Sequence, residues 1–171
     1  RPLVENEFTF RLEPAGFAPW DPAWDNSAAI TALLDGQPFA EHAAQPMPDP
    51  AEAPNTASGD ILFGSIPYTA RDAGPASETG TVYRYTIRQI IPVESDRAPN
   101  VSYSEAVKTA YVHVYIDASG LVCASVYGSD TPFANAYTPG SLHITKRVTG
   151  APAPAAYTLA VTGPDNYSTT F

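Results

Sequence analysis

The chain of 171 residues contains one cysteine, Cys123, and only two lysines, Lys108 and Lys146. A single cysteine excludes an intrachain disulfide framework and a metal site built from several cysteines. Because Cys123 lies in an apolar run, residues 121–126, we expect it to be a small buried core residue. The two lysines are also the only side chains available for chemistry that needs a primary amine.

Positive charge and long apolar runs are scarce as well. Nine Lys and Arg residues stand against eighteen Asp and Glu residues, which gives a formal net charge of −9 and a pI of about 4.5. Such a surface repels phosphate, so nucleic acid is excluded as a partner. No apolar run approaches the ~20 residues of a membrane-spanning helix, and we expect no membrane insertion. Hydrophobic residues still make up 44% of the chain, which is enough for a packed core.

What the chain does contain is a series of short β-strand patterns. Apolar and polar residues alternate along residues 7–12, and along residues 107–116 the side chains of Tyr111 and His113 face away from those of Val112 and Val114. A turn at residues 117–120 is expected to join the latter strand to the next one. Further strands are predicted at 61–66, 82–90, 121–127, 133–137, 141–148 and 156–162. Such a series predicts an all-β sandwich.

Residues 15–59 interrupt this series and are rich in proline and alanine. A short helix is predicted over residues 28–34, after a possible N-cap at residues 25–27, and an extended surface loop over residues 45–58. We therefore interpret the segment as a long loop and helix insertion on the sandwich. Trp20 and Trp24 are expected to pack onto the body of the domain; the alternative is that they contact a ligand together with Phe39.

Catalytic and metal-binding patterns are not evident. The sequence has no nucleophile-elbow, P-loop or zinc-protease motif, and we predict no enzymatic activity beyond self-crosslinking, no cofactor and no metal. Two sets of residues are not expected to bind a metal, because the histidines are far apart in sequence and the aspartates lack the spacing of a calcium loop. They are His42, His113 and His143, and Asp21, Asp25 and Asp35.

Taken in order, several stretches resemble the backbone-pilin modules of Gram-positive bacteria. They are EFTFRLEP at 7–14, VYRYTIRQIIP at 82–92, PNVSYSEAVKTAYVHVYI at 99–116, FANAY at 133–137 and LHITKRVTG at 142–150. The resemblance implies an inverse immunoglobulin-like sandwich of the collagen-adhesin B type over residues 1–138, lacking its first strand. Residues 139–171 would then be the opening strands of a following, truncated sandwich. It also implies an extracellular protein of the cell surface, anchored to the cell wall through parts outside this chain.

The resemblance further implies an internal cross-link. In such modules a first-strand lysine condenses with a last-strand asparagine, releasing ammonia, while a nearby acid assists. Asn135 matches the amide partner, but Gln89 stands where the acid is expected, and a glutamine side chain cannot act as a proton-donating acid. Three alternatives stay open: the reaction is lost, another carboxylate substitutes, or the residue was changed on purpose.

The amine is the second departure from the family pattern. No lysine precedes the strand at 7–12, and the neighbours of Lys108 favour an exposed face. By pattern, Lys146 belongs to the first strand of the following domain. Either this tail is disordered or its strand, 141–148, adds head to tail to an open sheet edge of a neighbouring chain and brings Lys146 to the other chain's Asn135.

The sequence thus predicts a structural stalk or pilus-backbone module whose partners are neighbouring modules of the same protein or pilus. The alternative function is an adhesin that recognises a host protein or glycan through residues 15–59.

Overall fold

A computed structural model describes residues 2–25, 29–41, 44–75, 78–128, 131–140, 143–145, 147, 158–162 and 168–170. The contacts within the chain divide it into two units, Arg1–Pro139 and Gly140–Phe171. In the second unit, β8 (Ala160–Thr162) pairs with β9 (Ser168–Thr170) in an antiparallel hairpin. No helix among the described residues is long and apolar enough to span a membrane.

The first unit is built on an antiparallel sheet of five strands in the order β2-β1-β3-β5-β6. Its strands are β1 (Thr9–Pro19), β2 (Glu52–Pro54), β3 (Thr81–Ile90), β5 (Val107–Ile116) and β6 (Val122–Gly128). A second, two-stranded sheet pairs β4 (Val101–Ser102) with β7 (Ala136–Tyr137). The helix α1 (Ile30–Asp35) and three single 3-10 turns complete the unit, so the predicted all-β, immunoglobulin-like sandwich is confirmed.

The five-stranded sheet buries side chains on both faces. We call one side the groove face, where Leu12, Tyr83, Tyr85, Val112 and Val114 form a core cluster. We call the other side the insertion face, where a second cluster is formed by six buried residues, namely Ala18, Trp20, Trp24, Leu34, Val82 and Tyr111. Strand β3 contributes to both clusters because its side chains alternate between the two sides of the sheet.

The first part of residues 15–59 covers the insertion face. Trp20 and Trp24 are only 5% and 8% exposed, which confirms that both indoles pack onto the body of the domain. The α1 helix adds Leu34, which is fully buried. Two hydrogen bonds to carboxylates stabilise the position of the segment. The Trp20 indole N–H donates to Asp25 at 3.0 Å, and the Tyr111 hydroxyl donates to Asp35 at 2.6 Å.

The end of β1 differs from the sequence prediction at the start of the insertion. β1 continues to Pro19, beyond the predicted limit, because a β-bulge between Pro14 and Phe17 resets its register with β3. Gly16 makes this bulge possible: its φ is +111°, and a Cβ there would lie 2.7 Å from the carbonyl oxygen of Ala40. A bulge interrupts the period-two pattern on which the prediction rested.

Three other predictions need correction. Residues 61–66 form no strand, and only Ile61 makes an isolated bridge, to Asn55. Residues 143–145 of the predicted strand 141–148 have no regular structure, and most of the remaining positions lie outside the described residues. Cys123 is half-buried rather than buried, because it lies on β6 at the edge of the sheet.

Substitutions in α1 test whether the insertion stabilises the domain. We expect Leu34→Ala to lower the free energy of unfolding by about 2–4 kcal/mol, because it leaves a cavity in a fully buried cluster. Leu33→Ala, in the next position of the same helix but exposed, should cost less than about 1 kcal/mol. Urea unfolding followed by tryptophan fluorescence measures both values. Equal losses in the two variants would contradict the packing of α1 on the sheet.

His113 on the insertion face makes stability depend on pH. Burial lowers the pKa of this imidazole, against smaller opposing effects of the Thr79 carbonyl and the Asp25 carboxylate. A depressed pKa means that the folded state binds the proton more weakly than the unfolded chain. Stability is therefore present above the usual histidine value of about 6.5 and is lost as the pH falls through it. We expect the decline in melting temperature between pH 7.5 and 5 to be smaller in His113→Phe than in the unaltered chain; an identical decline would contradict the assignment.

Candidate functional site

Gln89 is the penultimate residue of β3 and lies on the groove face, opposite Phe10 of β1. Its side chain is buried, with 5% of the residue exposed, and neither Oε1 nor Nε2 has a hydrogen-bond partner among the described residues. Leaving a buried polar group unpaired costs about 1–3 kcal/mol. The position at which the family resemblance expects an acid is thus occupied by a buried, neutral amide.

Asn135 lies in the segment that leads into β7, and its side chain is half-buried. Its Oδ1 accepts a hydrogen bond of 2.8 Å from the backbone N–H of Ser104. This bond orients the carboxamide, and it would also stabilise negative charge that develops on the oxygen during attack at the carbonyl carbon. Ser104 was not anticipated from the sequence, because a backbone donor leaves no signature in residue type.

A groove of about 660 Å³ opens beside Asn135. Its apolar lining comes from Phe8 and Phe10 of the β1 region, from Ile87 of β3 and from Phe133. Within this lining, the rings of Phe10 and Phe133 pack against each other, with centroids 4.9 Å apart. An extended segment with apolar side chains on one side would bury them in such a groove.

Lys108 lines the same groove. It lies opposite Ile87 on the groove face and is partly buried, so the expectation of an exposed face is wrong. Its ammonium donates to Thr131 Oγ1 at 2.7 Å and lies 5.7 Å from the centre of the Phe133 ring. These contacts give Lys108 a structural role in the groove.

A smaller hollow of about 230 Å³ is also lined by Asn135, and it contains the half-buried carboxylate of Glu7. Glu7 accepts a hydrogen bond of 3.2 Å from the backbone N–H of Val4. From the sequence alone, no particular carboxylate could be named as a replacement for the family acid. The described structure brings two carboxylates to hollows that Asn135 also lines: Glu7 in this smaller one and Asp60 in the larger groove. The position of Glu7 directly before the apolar strand was the available signal.

The core beneath the groove face disfavours the charged forms of side chains. Tyr85, four residues before Gln89 on the same face, donates to the Pro46 carbonyl at 2.7 Å and lies 2.8 Å from the Tyr68 hydroxyl. Burial raises the pKa of Tyr68 and of Tyr85, and it raises the pKa of Tyr83 to about 12. Desolvation of this kind favours the neutral form of any amine that enters the same environment.

Gln89 does not line this groove, and the other residues singled out from the sequence are not gathered there either. Lys146 lies outside the described residues, so the structure gives no distance from it to Asn135. Phe39 packs 5.6 Å from Tyr111 on the insertion face and beneath the guanidinium of Arg84. Across the described part of the chain, no group of three or more His, Cys, Asp or Glu side chains is arranged to hold a metal ion.

Comparison with known proteins identifies the first unit. The family model for FctA, a Spy0128-like isopeptide containing domain, matches residues 1–138, a range that includes both Gln89 and Asn135. No curated protein and no solved structure gives a significant match. Domains of this family are structural pilin modules and are exposed at the cell surface. The chain therefore belongs to the FctA family and matches a Gram-positive pilin-backbone module.

Proposed function

We propose that this chain is a stalk or pilus-backbone module in which the groove beside Asn135 receives a lysine-bearing strand of a neighbouring module. The observation that carries the proposal is the groove itself: it is open, most of its lining is apolar, and it includes a carboxamide that already accepts a hydrogen bond from a backbone donor. An adhesin that uses Trp20, Trp24 and Phe39 is the second candidate, and we rank it lower because all three side chains pack against the sheet.

The strand that we assign to the groove is the segment 142–148 of a second copy of the chain. In an extended segment, Leu142, Ile144, Lys146 and Val148 fall on one side, because side chains alternate. Three apolar side chains would then face the phenylalanine-lined groove while the lysine faces Asn135. Charge favours the encounter: residues 1–139 carry seven Lys and Arg against seventeen Asp and Glu, whereas residues 140–171 carry two against one.

The covalent step joins the Lys146 nitrogen to the Asn135 carbonyl carbon. The amine must first lose its proton, which the apolar surroundings favour; its lone pair then attacks the carbon while the Ser104 N–H stabilises the oxygen. The C–N bond to the original amide nitrogen breaks, and this nitrogen leaves as ammonia after taking up a proton. The product is a new amide bond, and no oxidant or cofactor is needed.

Gln89 makes this step slow, because it cannot supply the proton that a carboxylic acid at the same position would share with the oxygen of Asn135. We therefore propose that the strand is held mainly by non-covalent contacts in this chain. A carboxyl group at position 89 would be buried, and burial raises the pKa of a carboxyl, which keeps it protonated and able to donate.

Restoring the acid tests the proposal. We expect Gln89→Glu to produce covalently linked chains on a denaturing gel, each link lowering the intact mass by one ammonia, while the unaltered chain stays unlinked. Adding Asn135→Ala or Lys146→Arg to Gln89→Glu should abolish the links. Adding Lys108→Arg should not, because the Lys108 ammonium already donates to Thr131.

A mixing experiment establishes whether the link forms between chains. Gln89→Glu/Asn135→Ala retains the amine, and Gln89→Glu/Lys146→Arg retains the amide, so each is inert alone. We expect their mixture to give a single covalent dimer whose cross-linked peptide joins Lys146 to Asn135. A link that forms within one chain, or one that persists without Asn135, would contradict the assignment. If Glu7 supplied the acid, the unaltered chain would become linked and Glu7→Gln would prevent it.

A further inference from the structure

Strand β6 is an edge of the five-stranded sheet without the usual protection. Natural edge strands are commonly shielded by charged residues, proline or a covering segment. The β6 sequence, VCASVYG, contains neither a charged residue nor proline. Its groove-face side chains are open to solvent, with Val126 72% exposed. Within the described residues, β5 is the only strand that pairs with β6; α1 contacts β6 but adds no strand to its outer row of backbone groups.

A hollow of about 550 Å³ adjoins this edge on the insertion face. Ser125 of β6 lies directly opposite His113 of β5, and both line the hollow. The larger side chains of Tyr115 and Tyr127 stand on either side of this pair along the strands. The small serine thus leaves a space between two tyrosines, at the margin of the sheet.

Aromatic contacts make the hollow a preformed feature. The His113 ring stacks on the Trp20 indole at 3.7 Å, with 6° between the planes, and lies 4.9 Å from Tyr115. Tyr127 stacks on the indole at 5.8 Å. Because Trp20 and His113 are held in this ladder, the hollow does not depend on a loop closing over it. Aromatic faces of this kind also attract a cation.

The polar lining consists of acceptors. The exposed carboxylates of Asp25 and Glu78 lie on the hollow, and no lysine or arginine among the described residues does. His113 Nε2 lies 2.7 Å from the Thr79 carbonyl oxygen and must donate to it. In the neutral ring this leaves Nδ1 as an acceptor, and Nδ1 has no hydrogen bond from the described residues. A donor that enters the hollow would therefore find an acceptor at Nδ1, on a residue that is 7% exposed.

From these two adjoining features we propose that β6 binds an extended peptide segment of a partner protein, and that an arginine or lysine side chain of this segment occupies the hollow. A strand added at the usual spacing of about 4.8 Å places its insertion-face side chains beside Ser125 and Tyr127. A basic side chain there reaches acceptors and aromatic faces and meets no like charge. This site is on the other face of the sheet from the Asn135 groove and does not depend on the function proposed for it.

Anisotropy of a fluorescein-labelled heptapeptide tests the proposal on the full chain. The probe alternates threonine and valine around a central arginine, and the control peptide replaces arginine by citrulline, which has the same shape without the charge. We expect the arginine peptide to bind at least about tenfold more tightly than the citrulline peptide, since charge-assisted hydrogen bonds are stronger than neutral ones.

Two pairs of exposed-site variants separate the hollow from the edge. Glu78→Gln should weaken binding of the arginine peptide about three- to tenfold, whereas Glu94→Gln, an equally exposed change in a remote 3-10 turn, should leave it within about twofold. Val126→Lys places a charge on the edge strand and should abolish binding. Val93→Lys adds the same charge at another exposed valine and should not.

Equal binding of the two peptides, or binding that survives Val126→Lys, would overturn the proposal. So would a failure of the arginine peptide to bind at millimolar concentration. Sedimentation equilibrium tests whether copies of the chain associate with one another. If Val126→Lys abolishes self-association and no peptide binds, the proposal is also overturned. The β6 edge would then be assigned to contacts between copies of this chain. The intact mass tests only the Asn135 proposal, and peptide anisotropy tests only the β6 proposal. A failure of one proposal can therefore be told apart from a failure of the other.

Discussion

The central position of β3 is the constraint on which the rest of the first unit depends. β3 pairs with β1 on one side and with β5 on the other, and residues 81–83 and 85 are buried. A strand that is buried on both faces must send alternate side chains into two different cores. Tyr83 and Tyr85 therefore enter the groove-face cluster, whereas Val82 enters the cluster beneath the insertion. A shift of one residue would exchange the two sets, so both cores hold the register.

The register of β3 determines the position of Gln89. Its position on the side of Tyr85 and opposite Phe10 brings the amide into the apolar interior, where it finds no hydrogen-bond partner among the described residues. An apolar side chain would avoid that cost, and a carboxyl group would use the same burial to remain protonated. Gln89 therefore lacks the proton that the family resemblance expects at this position, and Asn135 is held by the Ser104 N–H.

The two faces of the sheet consequently differ in character. The groove face combines a lining rich in phenylalanine with a carboxamide that accepts a hydrogen bond from the Ser104 N–H. On the insertion face, Trp20, Trp24 and α1 pack over Val82 and Tyr111, and an acidic and aromatic hollow lies at its margin near β6. The insertion therefore completes the second core of the domain.

Much of the architecture could be predicted because it follows from local patterns. Residue patterns typical of strands predicted β3, β5 and β6, the residue types at 117–120 predicted the turn, and the order of the motifs indicated the family and pointed to Asn135 and Gln89. Tertiary structure decided the features that depend on neighbours distant in sequence. These are the bulge at Gly16, where the Ala40 carbonyl leaves no room for a side chain, the partly buried position of Lys108, the Ser104 donor, and the exposed edge at β6. Sequence periodicity records which side of a strand a residue occupies, but only the folded chain determines what lies opposite it.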